Sequence, residues 1–373
     1  MLRIILLPLL IGTSALAQTP RERLYGVQAD WAAAQRETNL SSFVFRDRNR
    51  NGVYDMGDDP LSGIYTGLVR DGVAQTIVMS NSNGYANFPT LIDKAEAAIR
   101  TPGTYDFEVV VPPDWEITTD NKSQTIKIVA DAEGSTGLRM TTSLRSIGLA
   151  PVLSVSGIWN GAAAARLAII QHDAENDTVT VQPGQPFRLL SQPGPAVLTD
   201  GQMKLNLTVG NNPMQLGTLD DRPRTSPPRG LANFEEFAGY DLMKLPAGYQ
   251  GLNWRDLNAI LRNFTPGSQG YVNGITSGHY TAYTTNLRPG EISRDDGFDL
   301  YSMELSLAWR EAEGQIAVIE AWRGDQLVMT DRIALSVLGP VTYAPMISGV
   351  TRLWITPEHG WQIVLDDLRF GLD

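Results

Sequence analysis

The residues whose types and spacing most plainly carry chemistry run Asp47-Arg48-Asn49-Arg50-Asn51-Gly52-Val53-Tyr54-Asp55-Met56-Gly57-Asp58. Oxygen-bearing side chains stand at the first, third, fifth, ninth and twelfth places: Asp47, Asn49, Asn51, Asp55 and Asp58. Gly52 is sixth, where such a loop turns sharply, and Val53 is seventh, where only a backbone carbonyl is needed. A hard cation takes six to eight oxygens, and this spacing can wrap them around one Ca2+ ion. Asp58 stands where a Glu is usual, and its shorter side chain makes bidentate closure harder. The competing reading is an acidic, Asn/Gly-rich surface turn that holds no ion.

The flanks decide what positions the loop. An EF-hand places a helix on each side. Here Phe43-Val44-Phe45 precedes the loop and Pro60-Leu61-Ser62-Gly63-Ile64 follows it, a β-rich run and a turn into another strand. The loop therefore belongs between strands. With Ser82-Asn83-Gly84-Tyr85-Ala86-Asn87-Phe88, Pro102-Gly103-Thr104-Tyr105-Asp106-Phe107-Glu108-Val109, Pro112-Pro113-Asp114-Trp115 and Thr118-Thr119, the stretch resembles an SdrD B-like (Cna-B-related) domain over about residues 38–130. The resemblance implies an Ig-like sandwich displayed at a cell surface and stiffened by calcium. It implies no catalysis, and the lysine of self-crosslinking relatives has no clear counterpart.

Residues 1–17 read as a secretory signal peptide: Arg3 gives the positive start, Ile4 to Ile11 the apolar stretch, and Ala15-Leu16-Ala17 the cleavage site. The apolar run is too short to span a bilayer, and no later segment reads as a transmembrane anchor. The mature chain is expected to be secreted, periplasmic or on the cell surface. The net charge is −11, and losing Arg3 makes it more negative, which argues against nucleic acid and anionic lipid as partners. The chain has no cysteine, so calcium is the expected staple in place of disulfides.

The reading predicts an all-β chain: an N-terminal arm at 18–37 with a short helix, the Ig-like sandwich at 38–147, an unassigned β module at 148–219, a linker at 220–230, and a last domain at 231–373. That last domain holds Trp254, Trp309, Trp322, Trp354 and Trp361. Alternating runs at 302–309, 316–322 and 351–355 predict strands. Phe234-Glu235-Glu236-Phe237 near its start, Leu245-Pro246-Ala247-Gly248-Tyr249-Gln250-Gly251-Leu252-Asn253-Trp254, and the closing Leu365-Asp366-Asp367-Leu368-Arg369-Phe370 resemble the jelly roll of secreted and surface-sorted bacterial proteins. In outline the domain is also similar to carbohydrate-binding modules.

In such jelly rolls the first and last strands lie side by side. Glu235 or Glu236 would then meet Asp366 or Asp367, and converging carboxylates call for a second metal ion unless they face solvent or pair with Arg. The loop aromatics Tyr249, Trp254, Tyr271, Tyr280 and Tyr283 are candidate sugar-stacking residues, with core or loop anchoring as the alternative. Trp309, Trp322 and Trp354, on alternating strands, are expected in the core. His172, His279 and His359 are scattered and share no zinc spacing. Neither a Gly-x-Ser-x-Gly elbow nor a phosphate loop occurs. The expected function is non-catalytic: calcium binding and adhesion or binding outside the cell, with carbohydrate or another surface protein as partner. The alternatives are a carbohydrate-active hydrolase, with acids such as Asp295-Asp296, or a purely structural surface component.

Overall fold

The computed structural model describes residues 39–89, 101–130, 138–142, 144–220, 224, 229–262, 264, 269–285, 288–360 and 362–372. The expected signal peptide, the N-terminal arm, most of the linker and Trp361 lie outside them. The chain is 58% strand and 4% helix, so it is all-β as expected. Among the described residues no helix is long and apolar enough to cross a membrane. The chain divides into two compact units, Met1–Ala150 and Pro151–Asp373.

The strands of the first unit are β1 (Asn39–Arg46), β2 (Asp59–Pro60), β3 (Tyr65–Arg70), β4 (Val73–Met79) and β5 (Tyr85–Pro89). They continue with β6 (Gly103–Val109), β7 (Trp115–Ile117), β8 (Ser123–Ala130), β9 (Leu138–Met140) and β10 (Ile147–Pro151). One sheet runs β2-β1-β10-β7 with β5 also on β1, and the other runs β4-β3-β6-β8-β9. Val44, Phe45, Leu68, Phe88, Phe107, Ile126, Ile128 and Leu149 are buried between them. The period-2 pattern sets this: in β8, Gln124, Ile126 and Ile128 turn inward and their neighbours outward.

The second unit begins with β11 (Ser154–Trp159), β12 (Ala165–Gln171), β13 (Ala174–Val181), β14 (Pro186–Leu190), β15 (Gly194–Thr199), β16 (Lys204–Val209) and β17 (Met214–Leu219). Strands β13-β12-β15-β16 form one sheet, and β14-β11-β17 form part of another. Trp159, Leu167, Phe187, Leu198, Leu207 and Leu216 fill the core they share. The stretch expected to be an unassigned β module is thus made of strands.

The remaining strands are β18 (Gly230–Ala232), β19 (Leu242–Lys244), β20 (Asn253–Arg255), β21 (Leu257–Leu261), β22 (Tyr280–Thr284) and β23 (Gly290–Leu307). After them come β24 (Ile316–Arg323), β25 (Gln326–Ala334), β26 (Val341–Tyr343), β27 (Ile347–Pro357) and β28 (Ile363–Gly371). Strand β23 organises them. Its first half pairs with β20 and β27, and its second half with β28 and β26. The register shifts between Ser293 and Phe298, where Gly297 has a positive φ. The strand thereby passes from one layer to the other, as bulged strands do. Side chains of both layers, among them Phe298, Met303, Ile319, Leu353, Ile355 and Leu365, form one core. The first and last strands lie side by side as expected, with Gly230 opposite Phe370 and Ala232 opposite Leu368.

The middle stretch is not separate from this sheet. Strand β17 pairs in parallel with β26, Met214 opposite Thr342. Buried polar ties join the two stretches: the Asp331 carboxylate accepts from Thr218 N–H (3.0 Å) and Oγ1 (2.8 Å), and Asn212 Nδ2 donates to Glu304 Oε2 (2.6 Å). In the 220–230 linker, Arg224 donates to the Pro345 carbonyl (2.7 Å).

Candidate functional site

The candidate site is the loop between β1 and β2. Strand β1 delivers Asp47 fully buried, and the Asp47 N–H donates to the Leu149 carbonyl on β10 (3.0 Å). From this fixed point the chain winds inward by successive Asx turns. Asp47 accepts from the N–H of Asn51 (3.2 Å) and Gly52 (2.8 Å). Asn49 Oδ1 accepts from Asn51 N–H (3.1 Å), and Asn51 Oδ1 from Val53 N–H (2.8 Å). Gly52 has φ +75°, and a Cβ there would sit 3.1 Å from the Thr118 carbonyl, so the turn needs glycine. Asp58, also buried, closes the loop by accepting from the N–H of Arg48 (2.9 Å) and Asp55 (3.1 Å).

Asp47, Asp55 and Asp58 thus face one another across a small loop. Burial pushes the Asp58 carboxyl up, the neighbouring Asp47 and Asp55 charges add to this, and its two N–H donors oppose it. The exposed arms compensate partly: Asn49 Nδ2 donates to both Asp55 oxygens (3.1 and 3.2 Å) and Asn51 Nδ2 to Oδ2 (2.7 Å). These amide donors lie on Asp55 as a cation would. The donor set fits a hard cation by its chemistry: three carboxylates, two amide oxygens and one carbonyl, all oxygen. Among the described residues, no three His, Cys, Asp or Glu side chains form a metal-holding group. Half of the donors here are Asn or backbone. Arg48 pairs with Asp59 and Arg50 with Glu116, so both loop cations are drawn to acids beyond Asp58. Beneath the loop Tyr54 packs edge-on against Phe43 (4.8 Å) and Phe45 (5.3 Å), which anchors its second half.

The second set of acids behaves otherwise than expected. The Thr276–Tyr280 turn stands between them and takes their charge. Asp366 Oδ2 accepts from Thr276 N–H (2.6 Å) and Ser277 N–H (3.2 Å), and Asp367 Oδ1 from Ser277 Oγ (2.6 Å). Glu235 Oε1 accepts from the N–H of His279 and of Tyr280, both 2.7 Å. Glu236 is held by Tyr249 Oη (2.8 Å) and Gln250 Nε2 (2.7 Å). Asp367 also pairs with Arg369 (3.1 Å). Burial, with the Asp367 charge added, pushes the Asp366 carboxyl well up. The expectation of a second metal is corrected accordingly: these carboxylates anchor a turn, and protein donors replace the ion.

The loop aromatics are corrected too. Trp254, Tyr271, Tyr280 and Tyr283 are buried and Tyr249 is half-buried. Trp254 packs edge-on to Phe234 (5.8 Å) and donates to the Tyr249 carbonyl (2.9 Å). Tyr271 donates to Gln362 Oε1 (2.6 Å). Trp254 lies on β20 and Tyr280 and Tyr283 on β22, so these rings enter the core from short strands within Gly-rich sequence, and Tyr271 enters it from a helical turn at 269–273. Trp322 and Trp354, expected in the core, are only partly buried. The signal for them was parity: in Arg352-Leu353-Trp354-Ile355, Leu353 and Ile355 are buried, so Arg352 and Trp354 face away from the core.

Comparison with known proteins agrees at the domain level. Residues 38–149 match the SdrD B-like domain. No curated protein matches the chain. Among solved structures, the xylan-binding CBM22-1 domain of Paenibacillus barcinonensis Xyn10C aligns at 13% identity over 40% of this chain and 97% of its own, with a TM-score of 0.25. The shaft pilin SpaA of Lactobacillus rhamnosus GG aligns at 11% over 49% of this chain and 97% of its own, with a TM-score of 0.22. At those scores the likenesses carry no inference about this chain.

Proposed function

We propose that this is an exported, non-catalytic binding protein whose first unit is stiffened by Ca2+ held by Asp47, Asn49, Asn51, the Val53 carbonyl, Asp55 and Asp58. The observation that carries this is the loop itself: two buried aspartates and a third carboxylate lie along one Asx-wound turn between strands. Bound there, the ion supplies charge neutralisation, which the Asn49 and Asn51 amides supply in part. The match of residues 38–149 to a surface-protein domain and the secretory pattern at 1–17 support a place outside the cell, where free calcium is abundant.

The test is thermal unfolding of the full mature chain with calcium and with a chelator. An ion that binds only the folded state raises stability by mass action, about 2.7 kcal/mol at a hundred times its Kd. Calcium is expected to raise one Tm, and Asp47→Ala to abolish the shift. Equal melting in calcium and chelator rejects the site.

A further inference from the structure

Strands β24 and β27 carry an aromatic and charged patch on the face turned from the core. Register places Trp322 opposite Arg352 and Glu320 opposite Trp354, with Ser293 beside Arg352 and Glu291 beside Trp354 on β23. The Arg352 guanidinium lies 4.8 Å from the Trp322 ring centroid and 5.1 Å from that of Trp354, and the two indoles are 5.6 Å apart. Trp354 Nε1 donates to Glu291 Oε2 (2.8 Å), which also pairs with Arg255. That carboxylate therefore fixes one ring.

What is left over points to a ligand. Arg352 Nε and Trp322 Nε1 are buried without a hydrogen-bond partner. Among the described residues no carboxylate or carbonyl holds the Arg352 guanidinium, and Glu320, diagonal to it, makes no ion pair. A sheet face that needed only solubility would not keep two partly exposed tryptophans around an arginine whose only partners among the described residues are their rings. Both strands lie inside the sheet: β27 pairs with β23 and β24, and β24 with β27 and β25. Their backbone groups are spent, so a partner cannot add a strand there, and recognition falls to side chains.

From this the geometry points to a binding face for a neutral pyranose chain, made by Trp322, Trp354, Arg352 and Glu320. Indoles take up the C–H face of a sugar ring. A guanidinium and a carboxylate side by side donate to and accept from vicinal hydroxyls. Two arginines, Arg255 and Arg352, stand against two glutamates, Glu291 and Glu320, and this balance favours a neutral sugar over an anionic one. The inference rests on reading the chain as an extracellular binding protein but not on its calcium.

The experiment titrates the full mature chain with cellohexaose, xylohexaose and, as an anionic control, hexagalacturonate, in calcium and in chelator, with Tm measured alongside. A neutral hexasaccharide is expected to bind, and Trp322→Ala and Trp354→Ala to weaken it at least about tenfold, a typical loss for one stacking contact. Arg352→Gln and Glu320→Gln are expected to weaken it similarly. They decide the matter if an alanine variant does not fold. The inference is overturned if no neutral probe binds, if hexagalacturonate binds more tightly, or if the folded variants keep wild-type affinity. A chain whose Tm rises with calcium but which binds no sugar overturns this inference alone. One that binds sugar without a calcium shift overturns the calcium reading alone.

Discussion

Residue by residue, the tryptophans separate into two physical classes that one substitution distinguishes. Trp254 is buried, packs against Phe234 and Tyr249, and uses its Nε1–H on a backbone carbonyl. Trp254→Ala removes a core ring and leaves a void, so it is expected to cost about 3–5 kcal/mol of unfolding free energy, read by denaturant titration. Trp354 is only partly buried, on the face turned from the core, and its truncation leaves an opening to solvent instead of a void. Its expected cost is well below that of Trp254, and the contrast fails if the two lose equal stability.

At the scale of elements, the Thr276–Tyr280 turn shows how acids without an ion are stabilised. Glu235, in a short 3-10 turn, and Asp366 and Asp367, midway along β28, hold it through backbone N–H groups and a hydroxyl. Gly278 makes this approach feasible: its φ is +62°, and a Cβ there would lie 2.1 Å from the Glu235 carboxyl carbon. Gly278→Ala is therefore expected to cost about 1–3 kcal/mol, because it strains the backbone and drives Glu235 from two amides. A variant as stable as the wild type would show that the turn tolerates the loss of these bonds.

For the whole molecule, the division into two compact units leads us to expect two calorimetric transitions with different sensitivities. Calcium is expected to move the one that Asp47→Ala alters. Alkali is expected to lower the other. Burial, with the Glu236 hydrogen bond added, raises the Tyr249 pKa, and burial, with Tyr283 added, raises that of Tyr271. A phenol whose folded pKa exceeds its unfolded value, about 10, favours folding fully below that pH and loses this contribution as pH rises through it. Tyr249→Phe and Tyr271→Phe are expected to flatten the loss above about pH 10, followed as Tm against pH. An unchanged alkaline slope in both variants would assign it to other groups.

The side-by-side placing of β18 and β28 followed from the resemblance to a jelly roll, whereas local pattern alone determined the all-β class and the strand-flanked loop from Asp47 to Asp58. These depend on period-2 alternation, on glycine at positive φ and on oxygen spacing, all of which act over a few residues. The tertiary structure decided what each exposed-looking residue faces. Tyr249 to Tyr283 lie in turn-rich sequence, yet Trp254, Tyr280 and Tyr283 sit on β20 and β22 and face a core that local composition does not display. Glu235 and Asp366, expected to meet, each bond the Thr276–Tyr280 backbone, a contact between segments distant in sequence. Alternation along β27 puts Trp354 on the side of Arg352 and opposite Leu353, and the register with β24 puts Trp322 on that side too. Only the packing of β23, β24, β27 and β28 showed which of the two faces met the core.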